Sequence, residues 1–261
     1  MRRILFLSPF FILVLLAILA PLIAPYPKNL TDLEAIKLAP SFTHLFGTDL
    51  LGRDLYTSLL YALQNSLFIG VFASLLSLFI ALVFVLIAHL FAYNFFMRIL
   101  EMCLAIHGLI LMMIFQSFFQ GNILVISILL ALTSWMYLAK MLDGAFQKYK
   151  SMDFYTCALM LGASKFRALV SEILPACVNL IFVLFILNIG HSISHEATLS
   201  FFGLGVPIGE FSLGTLLSDG AKGLFLGAWW LVLFPSLVLL FLILPLLAFA
   251  NAMQDKFGMK L

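Results

Sequence analysis

Long apolar runs alternate with short polar stretches along this chain, and the runs have the length of bilayer crossings. A crossing takes about 20 apolar residues, enough to traverse about 30 Å of hydrocarbon. Runs near that length fall at residues 4–24, 66–92, 97–119, 123–139, 172–190 and 224–250. The first follows Arg2 and Arg3, as the apolar segment of a signal peptide does. It is longer than such a segment and continues to Pro21 and Pro25, so it is read as a retained span. Gln120-Gly121-Asn122 marks a turn between the third and fourth runs. Pro175 falls in the first turn of the fifth, a position that tolerates proline. Polar residues gather at 26–60 and 140–171, and glycine is dense over 198–223. The pattern predicts an all-α polytopic membrane protein of about six transmembrane helices. Residues 1–65 would form the first span and an outer loop. Residues 66–261 would form the core, with an inner loop at about 150–171.

Composition narrows the picture. Hydrophobic residues make up 64% and charged residues 10% of the 261, against about a quarter charged in a soluble domain. Too few charges remain to cover a water-facing surface, which excludes a soluble enzyme, a nucleic-acid binder and a disordered chain. A net charge of +2 is too weak to attract polyanions. Cys103, Cys157 and Cys177 are well separated and form no C-x-x-C pair, so they read as free thiols. With the N-terminus inside, ten of the 14 Lys and Arg residues fall on the same side as residues 140–171. The positive-inside rule then makes both termini and that loop cytoplasmic, and turns residues 26–65 and 198–223 outward.

Neither a phosphate-binding loop nor a dinucleotide fingerprint is present. Ion-driven carriers bury carboxylates mid-membrane, whereas here the acidic residues lie mostly in loops or at span ends, with Glu196 the nearest exception. The chain itself is therefore not expected to be an enzyme, and a partner is expected to supply the energy. Within the inner loop, residues 153–161 read as a short helix. Gly162 is placed to end it and Ser164 to cap the next. Such a helix suits either a groove on a cytosolic partner or the lipid headgroup surface. On the outer loop, Asp49, Arg53 and Asp54 lie close together between Gly47 and Gly52. They could form an ion-pair network that fixes the loop, or a contact with a partner.

Three blocks resemble one family. The segment Ala158-Leu-Met-Leu-Gly162-Ala163-Ser164, followed by Leu174-Pro175, resembles the coupling loop of binding-protein-dependent ABC importer permeases. Thr156 and Cys157 stand where that loop has Glu and Ala. Phe46-Gly47-Thr48-Asp49-Leu50-Leu51-Gly52-Arg53-Asp54 resembles the G-T-D-x-x-G-R-D signature of C-type permeases of dipeptide, oligopeptide and nickel importers. Leu199-Ser200-Phe201-Phe202-Gly203-Leu204-Gly205-Val206, then Ala228-Trp229-Trp230 and Phe234-Pro235, resembles further blocks of that family. The resemblance implies a type I ABC importer permease fold in a bacterial inner membrane. It implies a second homologous permease, two ATPase subunits that bind ATP and magnesium, and an extracytoplasmic substrate-binding protein, with no cofactor held by this chain. It places coupling to the ATPases on Asp153, Tyr155, Thr156, Cys157, Ala158, Gly162, Ala163 and Ser164, and a periplasmic motif on Gly47, Thr48, Asp49, Gly52, Arg53 and Asp54.

Cargo turns on the end of the fifth run. His191 and His195 are four residues apart, so on a helix they share a face. Imidazole suits nickel, zinc and copper. Interfacial histidines that bond backbone or headgroups would show the same spacing. The Gly190-His191-x-x-x-His195 pattern resembles nickel permeases, while peptide permeases resemble it less. The expectation is a nickel or nickel-chelate permease, with His191, His195 and Glu196 on the substrate path and the two histidines as transient metal ligands. The alternative is the same architecture importing dipeptides or oligopeptides. An intramembrane metalloprotease would need H-E-x-x-H, but Glu196 follows the second histidine. A cation channel would need no docking loop. His89 and His107 are candidates for further contacts along the pore, and Met112 and Met113 read as helix packing.

Overall fold

In the computed structural model, residues 8–119, 122–207 and 209–257 are described. Helix α1 (Ser8–Ile18) and the short α2 (Ala20–Ile23) occupy the described part of the first predicted span, interrupted at Leu19 just ahead of Pro21. The remainder of that span, and Gln120 and Gly121 of the predicted turn, lie outside the described residues.

Helix α3 (Leu55–Leu90) has 36 residues and is therefore about 54 Å long, well beyond a bilayer's hydrocarbon. It starts eleven residues before the predicted span and runs through position 65 without interruption. Hydropathy marks only the lipid-facing length, whereas the helix start is set by Asp54, whose side chain accepts from Thr57 N–H. The predicted third span is a bent pair, α4 (Tyr93–Leu104) and α5 (Gly108–Phe118), turned by 77°. The extended backbone of His107 breaks the helical path there.

Helix α6 (Ile123–Lys150), capped by Asn122, continues eleven residues past the predicted end at Ala139. Lys148 and Lys150 in its last turn suit the negative pole of the helix dipole. The chain then forms α7 (Asp153–Met160) and α8 (Lys165–Ala168), a π turn at Leu169–Ile173, and α9 (Leu174–Ala176). Pro175 has no N–H to donate, so regular helix does not resume until α10 (Val178–Phe201). Within the glycine-rich stretch lies α11 (Leu213–Leu224), which opens on a Ser212/Thr215 capping box. Last comes α12 (Trp230–Phe257), with Pro235 and Pro245 inside it.

Helices α3, α6, α10 and α12 are each long and apolar enough to cross a membrane, and counting the bent α4–α5 pair as one broken span gives five. Among the described residues there is no strand, only the isolated bridge Thr48–Asp54. The all-α polytopic expectation therefore holds. Helix α3 is the hub, packed against α6 and α10, with α1 on its flank. Small residues line its contact with α10: Ser66, Gly70 and Ser74 are buried there and allow close helix approach, while buried Ser77 meets Ser134 of α6. One core cluster joins the start of α3 to α10, α11 and α12. A second, at the opposite end, joins the end of α3 to α6, α7 and the π turn. Large exposed apolar side chains such as Leu22, Phe79 and Ile114 face outward, as a lipid-facing surface requires.

Candidate functional site

At one end of the bundle the 46–54 motif folds into a tight corner against α3 and α12. Leu51 N–H and Arg53 N–H both donate to Asp49 Oδ1, at 2.8 Å each. Thr48 Oγ1 donates to Ala35 O and accepts from Leu38 N–H, and Trp230 Nε1–H donates to Thr48 O. Asp54 Oδ2 accepts from the backbone and the hydroxyl of Thr57, while Oδ1 faces His44 Nδ1 at 3.0 Å. The ion-pair network considered from the sequence is not what fixes this loop. Both carboxylates are taken by backbone N–H groups, Thr57 and His44, and the Arg53 guanidinium lies 5.4 Å over the Phe211 ring. Arg53 Nε has no hydrogen-bond partner among the described residues. Burial pushes the Asp49 carboxyl above the usual carboxylate range, opposed by the N–H groups of Arg53 and Leu51. Gly47 and Gly52 hold positive φ, and a Cβ on Gly52 would lie 1.7 Å from Asp32 O.

On α10, His191 is exposed and His195 half-buried, their ring centroids 6.2 Å apart. Tyr137 of α6 approaches His191 at 6.5 Å, and His107 is close enough to His195 to interact with it electrostatically. Among the described residues, no group of three or more His, Cys, Asp or Glu is placed to hold a metal. Glu196, grouped with the histidines from sequence, is placed elsewhere. It is 0% exposed, accepting from Ser200 at 2.5 Å and from Ser66 at 3.2 Å. Ser66 in turn accepts from Leu213 N–H. One carboxylate thus joins α3, α10 and the start of α11, and its place is interhelical packing rather than the exposed histidine face. Ser192, one turn from His195, lies 3.5 Å from Ser74 of α3. Buried Asn188 keeps an Nδ2 with no partner among the described residues.

At the opposite end lies the loop expected to couple. Helix α7 closes at Gly162, whose φ is +88°. Gly162 N–H donates to Leu159 O and Ala163 N–H to Ala158 O, the left-handed termination expected there. Ser164 caps α8 through Arg167 N–H. Tyr155 is buried in the inner core, and burial pushes its phenol up. Asp153, Thr156, Cys157, Gly162 and Ser164 are exposed, and Ala158 and Ala163 half-buried. Thr156, standing where the resembled loop has Glu, donates its hydroxyl to Asp153 O, so its polar reach stays within its own helix. The loop instead presents apolar side chains, Met160 at 86% and Leu161 at 88% exposure, and Phe166 is exposed as well.

Sequence reasoning missed a partly buried polar cluster next to this loop. It contains His89, Tyr93, Asp143, Gln147 and Lys150. His89 was considered as a pore contact, yet its side chain is 2% exposed and bonded to Asp143. Part of the signal was available in the spacing: 143, 147 and 150 share one face if the helix continues past Ala139, whereas His89 and Tyr93 lie on different helices and only the fold brings them together. Met112 is buried core, as expected.

Residues 73–260 match the family described as binding-protein-dependent transport system inner membrane component. The dipeptide transport system permease protein of Bacillus subtilis is 29% identical over 95% of this chain and 79% of its own length. The oligopeptide transport system permease protein of the same organism is 32% identical, over 86% and 74% respectively. A dipeptide transport system permease protein of Haemophilus influenzae is 30% identical, over 96% and 88%.

Proposed function

Because this chain belongs to the family of binding-protein-dependent transport system inner membrane components, we propose that it is the permease subunit of an ATP-driven importer for short peptides. The observation that carries the reading is likeness over nearly the whole chain to permeases named for dipeptide and oligopeptide transport. It corrects the order of preference drawn from the histidine pair, since no relative named here is a nickel permease. The pair also offers only two imidazoles, fewer than the three protein ligands of an ordinary stable metal site.

In this reading the exposed loop around α7 docks on an ATPase subunit. ATP binding closes two such subunits, α7 moves with them, and the spans rock between inward and outward access. A second permease completes the pore, and a binding protein delivers cargo at the end that carries the 46–54 corner. The α7 loop faces the cytoplasm of a bacterium and both termini lie inside, following the distribution of Lys and Arg. Peptides passing between two permeases would meet His191, His195 and Tyr137, polar rings suited to amides and carboxylates as well as to metals.

The test is uptake into proteoliposomes holding this chain with its partner permease, ATPases and binding protein. ATP-dependent entry of labelled dipeptide, with radioactive nickel excluded, is the expected result. Nickel entry without dipeptide entry would restore the metal reading, which the histidine spacing favours. Uptake by the lone chain, without ATPases, would overturn the importer reading altogether.

A further inference from the structure

We propose that Lys150, His89 and Asp143 form a strut that carries the displacement of α7 into α3 and α4, making them positioning residues for transport. The inference rests on the permease reading above and deepens it. Tyr155, in the first turn of α7, lies with its ring 5.9 Å from Lys150 Nζ, within range of a cation–π contact. Lys150 Nζ lies 3.3 Å from His89 Nδ1. A lysine ammonium only donates, so Nδ1 accepts and the ring proton sits on Nε2. That proton is donated to Asp143 Oδ1 at 3.0 Å. The other oxygen, Oδ2, accepts from Tyr93 OH at 3.2 Å and from Gln147 Nε2 at 2.8 Å.

Placement gives this chain of contacts its meaning. His89 is in the last turn of α3 and Tyr93 is the first residue of α4, so the Asp143 carboxylate holds both sides of the corner at Phe91–Ala92. Both His89 and Asp143 are nearly closed to solvent, at 2% and 3% exposure. Aromatic rings of Phe146 and Tyr93 pack on His89 at 5.5 and 5.0 Å. Each polar atom in the line has a directional partner, and in a low-dielectric setting such bonds resist displacement. Two residues, Ser151 and Met152, separate α6 from α7, so the backbone ties α7 directly to α6 but to neither α3 nor α4. The side-chain line adds the route to α4 and to α3, the hub helix, whose far end is capped at the 46–54 corner. A push on α7 therefore reaches both ends of the hub.

The test uses the assembled complex. Lys150→Met keeps the apolar stem and removes the donor and the cation, and Lys150→Arg restores both. ATP hydrolysis and uptake are measured together, on whichever of labelled dipeptide or radioactive nickel the wild-type complex transports, and assembly is followed by co-purification with the ATPases. Expected is an assembled Lys150→Met complex that still hydrolyses ATP while uptake per ATP falls about threefold to thirtyfold, the range for a broken link in a coupling network. Lys150→Arg should recover most of the loss. Parallel loss of hydrolysis and uptake, failed assembly of Lys150→Met, or no change in uptake per ATP would each overturn the strut. A wild-type complex that moves neither cargo with ATP would instead overturn the permease reading on which it rests.

Discussion

Asp49 and Asp54 stand five residues apart and differ in what surrounds them. Asp54 is a helix cap whose two oxygens are spent on Thr57 and His44. Asp49 anchors a turn through one oxygen only, and burial holds its folded pKa above the unfolded one. Folding therefore takes up a proton in the window between the two values. The contribution of Asp49 to stability is greatest below its unfolded pKa of about 4 and declines as pH rises through the folded value. Asp49→Asn keeps the acceptor for both N–H groups and removes the charge. Thermal melting of the purified protein should then lose part of its decline between acid and neutral pH. Gly52→Ala should fail for a steric reason, since φ is +73° and the new carbon would meet Asp32 O. Backbone strain alone costs about 1–3 kcal/mol, so a lower melting temperature together with lost uptake is the outcome to look for.

Among elements, α7 is the one that the proposed function assigns to a partner. Its buried Tyr155 fixes one side to the core, while Met160, its last residue, and Leu161, its C-cap, are exposed. Leu161→Asp should leave the chain folded and membrane-inserted but abolish co-purification with the ATPases, because a charge would have to be buried in the contact. The cysteines give an independent reading of the same surface. Cys157 is exposed on α7 and Cys177 is 0% exposed. A maleimide should label Cys157 and spare Cys177 in the folded chain, and bound ATPase should protect Cys157. Unchanged labelling in the complex would place the docking surface elsewhere. The glycines of α11 act differently: a Cβ on Gly214 would come within 2.6 Å of Ala197 Cα, so that helix is held against α10 by the absence of a side chain.

At the scale of the whole molecule, the proposed function has work enter at one end and cargo at the other. The hub helix α3 is long enough to join them, with the His89 cluster at its end and the Asp54 cap at its start. Nothing in the sequence resembles a nucleotide site, so purified chain alone in liposomes should take up no labelled dipeptide when ATP is added, and adding the partner proteins should start uptake. Flux in the chain alone, dependent on an ion gradient, would place the energy source inside this subunit.

The membrane class, most of the spans, the α7 loop and the glycine corner were legible in the sequence. Each rests on local chemistry: apolar length, a left-handed glycine, a capping serine. The sequence did not show where helices outlast their hydropathy, as α3 does before Ser66 and α6 beyond Ala139. Helix continues wherever caps and packing allow, and hydropathy reports only contact with lipid. Nor did it show the 77° break between α4 and α5, or which polar residues turn inward. Glu196 and His195 are neighbours in sequence, yet one is buried among serines of α3 and α10 and the other lies beside an exposed imidazole. Successive residues on a helix point about 100° apart, and only the packing of other helices decides which direction is core. For the same reason Asp143, which the sequence placed in a loop, became the buried carboxylate where α3, α4 and α6 meet.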